Sequence, residues 1–255
     1  MTKVVLSIAR ATLLEALRGR MLWLVGVLLL LAAAGAVFLQ QVALIEAARV
    51  QAAIIAALLR GCAAFLVASF VVMSMVREFN DKVLELMLAQ PWPRAAYLFG
   101  KLAGFAAAAL VLAAIVSAPL AFFAPPARVA VWGLSLACEL VILASMSLFC
   151  VITLSHVVPA LAAVLGFYLL GRSMAAIEII ARAADASQSW TDRVSNWLVQ
   201  GIAAILPRFD LMTQTAWLVD APPSTAALGS VVAQAAIYTA LLVTAAQFDL
   251  HRQNF

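Results

Sequence analysis

Arg77-Glu78-Phe79-Asn80-Asp81-Lys82-Val83-Leu84-Glu85-Leu86-Met87-Leu88-Ala89-Gln90-Pro91-Trp92-Pro93-Arg94-Ala95-Ala96-Tyr97-Leu98-Phe99-Gly100-Lys101 is the one long charged interruption in the first half of a very apolar chain. Membrane-length apolar runs flank it on both sides. Burying Arg77, Glu78, Asp81, Lys82, Glu85, Arg94 and Lys101 in lipid would cost several kcal/mol each, so the stretch belongs in water or at a head-group surface. Leu84, Met87 and Leu88 recur at helical spacing, and Lys82 and Glu85 can pair on the exposed face. Pro91 and Pro93 end the helix. This predicts a short amphipathic helix between two membrane spans, with an apolar face suited to a groove on a partner protein. A solvated connecting loop would carry the same charges, and the residue pattern alone leaves both readings open.

Composition sets the class. The chain has 255 residues, 66% hydrophobic and 11% charged, with a mean hydropathy of +1.08. A soluble domain carries about 25% charged residues, so this is the composition of an integral membrane protein. Spans of about 20 residues leave room for about six helices in one bundle and none for a separate soluble catalytic domain. The net charge of +4 suits a neighbour of anionic lipid and does not point to nucleic acid. Cys62, Cys138 and Cys150 lie in apolar runs at no metal-ligand spacing and read as small buried residues. No secretory signal is expected, because the apolar run from Met21 follows an amphipathic segment and no small-x-small cleavage site closes it.

The predicted fold is all-α: a polytopic bundle of six transmembrane helices, at about 21–39, 56–76, 102–123, 131–154, 159–180 and 226–247. Residues 2–20 pattern as an amphipathic interfacial helix, with Val4, Ile8, Leu13, Leu14 and Leu17 toward lipid and Lys3, Arg10, Arg18 and Arg20 toward head groups. Pro125-Pro126 predict a tight turn, and Ser155 to Pro159 a very short one on the other side. Residues 181–225 are polar and hold Trp190, Trp197 and Trp217, which predicts short helices along the outer head groups, with a folded external loop that buries its tryptophans as the alternative. Trp23 and Trp132 sit at span starts, where indoles also favour the interface. Near the first three spans eight cations fall on the side of the N-terminus, against Arg49, Arg60 and Arg128 on the other. That bias predicts both termini in the cytoplasm.

Three charges share one depth within the spans. Arg60, Glu139 and Arg172 each lie roughly 24 to 26 Å from the cytoplasmic face by helical rise. Glu139 is the carboxylate well inside a span and needs a partner or a proton: either it pairs with Arg172, the nearer by topology, or Arg60 at the outer closure of a pathway, or both arginines reach the outer head groups and Glu139 is protonated or faces a small wet pocket.

Familiar catalytic patterns do not fit. Gly100-Lys101 invites a phosphate-loop reading, but Leu102 stands where Ser or Thr is required and Ala95 where the first Gly is required. Neither Gly-x-Ser-x-Gly nor His-Glu-x-x-His occurs, and His156 and His251 stand at predicted span ends. The small-xxx-small pair Gly100/Gly104 permits close helix contact but arises readily in so Ala-rich a chain.

Arg77-Glu78, Leu84-Glu85, Leu88-Ala89, Pro91, Arg94 and Gly100-Lys101 together resemble the first cytoplasmic loop of ABC type-two exporter permeases. That family loop reads roughly Arg-Glu, Thr-Leu-Glu, Leu-Leu, Pro, Ser-Arg, Gly-Lys. Val83 stands where Thr is commoner, and Trp92-Pro93 where small residues are usual. The small size is also similar to that of the nitrous-oxide-reductase maturation permease. The resemblance implies a non-catalytic subunit in the inner membrane that pairs with a second permease subunit, the same or paralogous. Two copies of a separate ATPase subunit would bind ATP and Mg. It assigns ATPase coupling to Glu78, Phe79, Lys82, Leu84, Glu85, Leu88, Pro91 and Arg94. Walls of Ala, Val and Leu suit a hydrophobic or amphipathic cargo. A stand-alone carrier and a structural membrane subunit are the alternatives; a carrier should show inverted repeats, and none is evident.

Overall fold

The computed structural model describes residues 2–42, 47–81, 94–184, 197, 201–202, 205–220 and 222–252. Among these, the long elements are α1 (Thr2–Arg18), α2 (Arg20–Val42), α3 (Ala47–Asn80), α4 (Arg94–Ser117), α5 (Pro126–Leu154), α6 (Val157–Ala184) and α7 (Thr225–Arg252). Shorter helical turns occupy Ala118–Phe122, Phe209–Leu211 and Ala216–Val219. The six helices α2 to α7 are long and apolar enough to cross a membrane. The chain is an all-α, multi-pass membrane protein. Helices satisfy their own backbone groups, as a hydrocarbon core requires.

α5 is the axis of the bundle. Of its span 72% is buried, against 17% for α7 and 22% for α2, and it packs on α3, α4, α6 and α7. Ser155 closes α5 in the left-handed region (φ 55°), with its N–H on Val151 O at 2.9 Å. α6 begins only two residues later, so the two helices run antiparallel and adjacent. At this same end Thr153 Oγ1 donates to Asp249 Oδ2 of α7 at 2.6 Å.

Two helices are longer than hydropathy predicts. α3 starts at Ala47 rather than about 56, with Gln51 buried and donating to Ala36 O of α2 at 2.6 Å. α4 starts at Arg94 rather than about 102. The charged stretch therefore divides: 77–80 finish α3 and 94–101 open α4. Polar residues sit inside these helix ends because they bond to one another, as described below.

α1 is more than a lipid-facing surface helix. It lies along α4 at a distance set by two glycines. A Cβ on Gly100 would stand 2.8 Å from Ile8 Cβ and 3.2 Å from Val5 O. One on Gly104 would stand 2.6 Å from Thr12 Cβ and 2.9 Å from Ala9 O. Thr12 and Ala16 are buried in this contact, while Leu6 and Leu14 face outward. Ile8 thus belongs to a helix interface rather than to lipid, and Gly100/Gly104 is a working small-residue contact. Gly104→Val is expected to cost about 1–3 kcal/mol by overpacking. Thermal unfolding in detergent checks this against Gly26→Val, where the added Cβ meets nothing within 4 Å.

Candidate functional site

Between α6 and α7 the chain turns back into the bundle. Phe209, Met212, Thr213, Trp217 and Leu218 are all buried. Gly171 of α6 permits the approach: a Cβ there would stand 2.7 Å from Phe209 Cδ2 and 2.8 Å from Pro207 O. The Phe209 ring meets Phe167 edge-on at 5.9 Å and Tyr168 at 5.5 Å.

Irregular backbone among apolar helices exposes carbonyls that no ladder satisfies, so donors must come from side chains. Three arginines on three helices supply them. Arg172 Nη1 of α6 donates to Phe209 O and, at 2.8 Å, to Met212 O. Arg60 Nη1 of α3 donates to Thr213 O at 2.8 Å. Arg128 Nη1 of α5 donates to Leu218 O at 3.3 Å and Val219 O at 3.2 Å. Thr213 is the most constrained residue. Its N–H donates to Ser135 Oγ at 2.9 Å and its hydroxyl to Glu139 Oε2. These bonds hold it at φ 49°, a conformation a β-branched residue rarely takes.

This geometry corrects the sequence reading in two places. Residues 181–225 do not all lie along the surface: over 207–219 one side of the segment packs against the helices, with Leu211 and Ala216 still exposed. Glu139 is fully buried near the middle of α5, about 20 Å by helical rise from either end. Nor does Glu139 pair directly with either arginine. Its bonded partner is Thr213, and Arg60 and Arg172 spend their donors on carbonyls of the same segment. The charges nevertheless share one neighbourhood, since Arg172 lies in the field of Glu139, Arg60 and Asp210. Among the described residues Glu139 Oε1, Arg60 Nε and Trp132 Nε1 have no hydrogen-bond partner. Trp132, near the start of α5, is buried within the protein, seven residues before Glu139.

A second polar cluster occupies the α1 end. Glu15 of α1 accepts from Arg77 Nη2 and, at 2.8 Å, from Ser74 Oγ of α3. Glu78 of α3 accepts from Lys101 Nζ and, at 2.6 Å, from Tyr97 OH of α4. Lys101 also stands 5.6 Å over the Phe105 ring. The Lys101 and Glu78 side chains are only 6% and 17% exposed, so this pair is an internal brace with charge-assisted bonds. Glu78 accordingly faces α4 rather than the rim of a docking surface. Phe79 packs partly against the core. Arg94 opens α4. Lys82, Leu84, Glu85, Leu88 and Pro91 lie outside the described residues.

Sequence reasoning missed Glu15, Tyr97, Ser135 and Thr213. One signal was available: Glu15 is the sole carboxylate of α1. Among the described residues no cluster of His, Cys, Asp and Glu is placed to hold a metal ion. No protein-family model matches the chain, and no curated protein matches it.

Proposed function

We propose that the chain is the membrane permease subunit of an ATP-driven exporter of the ABC type-two class. In this reading two permease subunits form the pathway in an inner membrane, with both termini cytoplasmic. Two copies of a separate ATPase subunit hydrolyse ATP, and the permease itself is non-catalytic. The observation that carries the proposal is the residue pattern of Arg77 to Lys101 set between two helices that are tied to each other. Whatever pushes on residues 82–93 pushes on the ends of α3 and α4, which the Glu78, Lys101 and Tyr97 bonds join. The Glu15–Arg77 pair extends the brace to α1. The 207–219 segment is bonded to α3, α5 and α6 together, so in this reading it serves as a closure that opens when those helices shift. The apolar walls suit a hydrophobic or amphipathic cargo.

Affinity purification from native membranes should recover an ATP-binding subunit in equal copy number. Leu84→Asp or Leu88→Asp should release that subunit or uncouple its hydrolysis from transport. Recovery of no ATP-binding partner, or normal complex yield with coupled transport in both variants, would overturn the reading.

A further inference from the structure

One face of α3 is left unfilled by the bundle. Gly61, Phe65, Ser69, Met73 and Arg77 recur every four residues, in a row that winds gradually round α3. Phe65 and Met73 are exposed although large and apolar. A cleft of about 690 Å³ runs along this face between α2 and α6, with Glu15, Ser74 and Arg77 at one end. A second cleft of about 270 Å³ reaches on to Gly61 and Leu31 and shares Leu24, Phe65 and Leu66 with the first. The result is one groove with a charged end and a long apolar end.

We propose that this groove binds a zwitterionic phospholipid with an ammonium head group. Arg77 takes the phosphate, Glu15 the ammonium, Ser69 a glycerol ester carbonyl, and the apolar length one acyl chain. Three independent features fit that occupant. The first is charge. Glu15 and Arg77 stand side by side, with side chains 27% and 61% exposed, and present one negative and one positive group to the groove mouth. That is the complement of a phosphate joined to an ammonium, whereas an anionic phosphatidylglycerol head group offers the Glu15 carboxylate only neutral hydroxyls and no opposite charge. The second is a waiting donor: Ser69 Oγ is buried on the groove wall with no hydrogen-bond partner. It lies five residues from Ser74, about 7.5 Å along the helix, below the head-group end as an ester lies below a phosphate. The third is length. From Arg77 to Gly61 is about 24 Å of helix, against about 20 Å for one leaflet of hydrocarbon with its head-group layer. The charged end also sits beside α1, whose exposed Lys3, Arg10 and Arg18 suit the same depth.

The inference needs one chain in a bilayer and does not depend on an ATPase. The test is native mass spectrometry of the protein released from nanodiscs of equal parts phosphatidylethanolamine and phosphatidylglycerol. The wild type should retain the ethanolamine lipid with roughly fivefold preference. Glu15→Gln should bring that preference close to one while lipid is still retained. Ser69→Val should lower retention of both lipids. Gly61→Phe, where an added Cβ meets nothing within 4 Å, should fill the chain end of the groove and exclude both. Equal retention of the two lipids by the wild type, or a preference for phosphatidylglycerol, would overturn the proposal. So would unchanged retention in both Ser69→Val and Gly61→Phe, or a lipid-free homodimer, in which a second copy fills the groove.

Discussion

Lys101→Met should destabilise the folded protein by about 3–5 kcal/mol, the cost of leaving a buried charge without its partner. Lys101 is buried, and Glu78 beneath it is mostly so. Without the ammonium, the Glu78 carboxylate keeps only the Tyr97 hydroxyl. Arg77, its neighbour on α3, is already engaged by Glu15. The thermal midpoint in detergent reports the loss, and the double variant Lys101→Met/Glu78→Gln identifies its source. A neutral amide still accepts from Tyr97 and carries no charge to strand, so it should return most of the lost stability. A change within about 0.5 kcal/mol for Lys101→Met would place the pair among ordinary surface contacts and remove the brace from the mechanism.

The spans are legible in the sequence because the bilayer imposes a length and a composition that no other environment shares. The faces of those spans are far less legible. Lipid and a neighbouring helix are equally apolar, so the pattern of Ile8, Leu13 and Leu17 could not say which of them α1 would meet. Small residues carried the answer: Gly100 and Gly104 fix the partner of α1 because no larger residue fits beneath Ile8 and Thr12. Helix ends were misjudged for a related reason. Tyr97 and Lys101 look like loop residues until Glu78 is known to face them across the bundle.

The 207–219 segment was hidden more deeply. Arg208, Asp210, Thr213 and Gln214 give it the polarity of a wet loop. Arg208 and Asp210 bond each other at 2.9 Å, and Arg208 reaches Glu178 at 3.0 Å, so much of that polarity is spent internally. The donors that let the rest enter the bundle come from distant positions. Arg60 is 153 residues away from the carbonyl it binds, and Arg172 is 40 residues from Met212. Counting helical rise did bring Arg60, Glu139 and Arg172 to one level. Counting cannot reveal that a piece of chain runs between them.

Arg172→Met should free that segment. Its guanidinium binds Met212 O and also Phe209 O, which accepts a second bond from the Met212 N–H at 3.1 Å. Without Arg172, Met212 O is orphaned, at a cost of about 1–3 kcal/mol if it stays buried. Withdrawal toward the membrane surface relieves that cost and is then opposed chiefly by the bonds of Arg60, Ser135 and Glu139 to Thr213, so the open population should rise. Withdrawal also removes Phe209 from Phe167 and Tyr168 and takes the Thr213 hydroxyl from Glu139. The reporter is Met212→Cys, at a fully buried position, in a background with Cys62, Cys138 and Cys150 replaced. A water-soluble maleimide should label it slowly with Arg172 in place and at least tenfold faster with Arg172→Met, the ratio expected for about 1.4 kcal/mol in the opening equilibrium. Arg172→Lys keeps the charge but not the planar fork, so its labelling rate should fall between the two. Equal labelling rates for all three would show that apolar packing of Phe209 and Trp217 holds the segment without the arginine. Fast labelling in the parent would show that the segment does not rest inside the bundle at all.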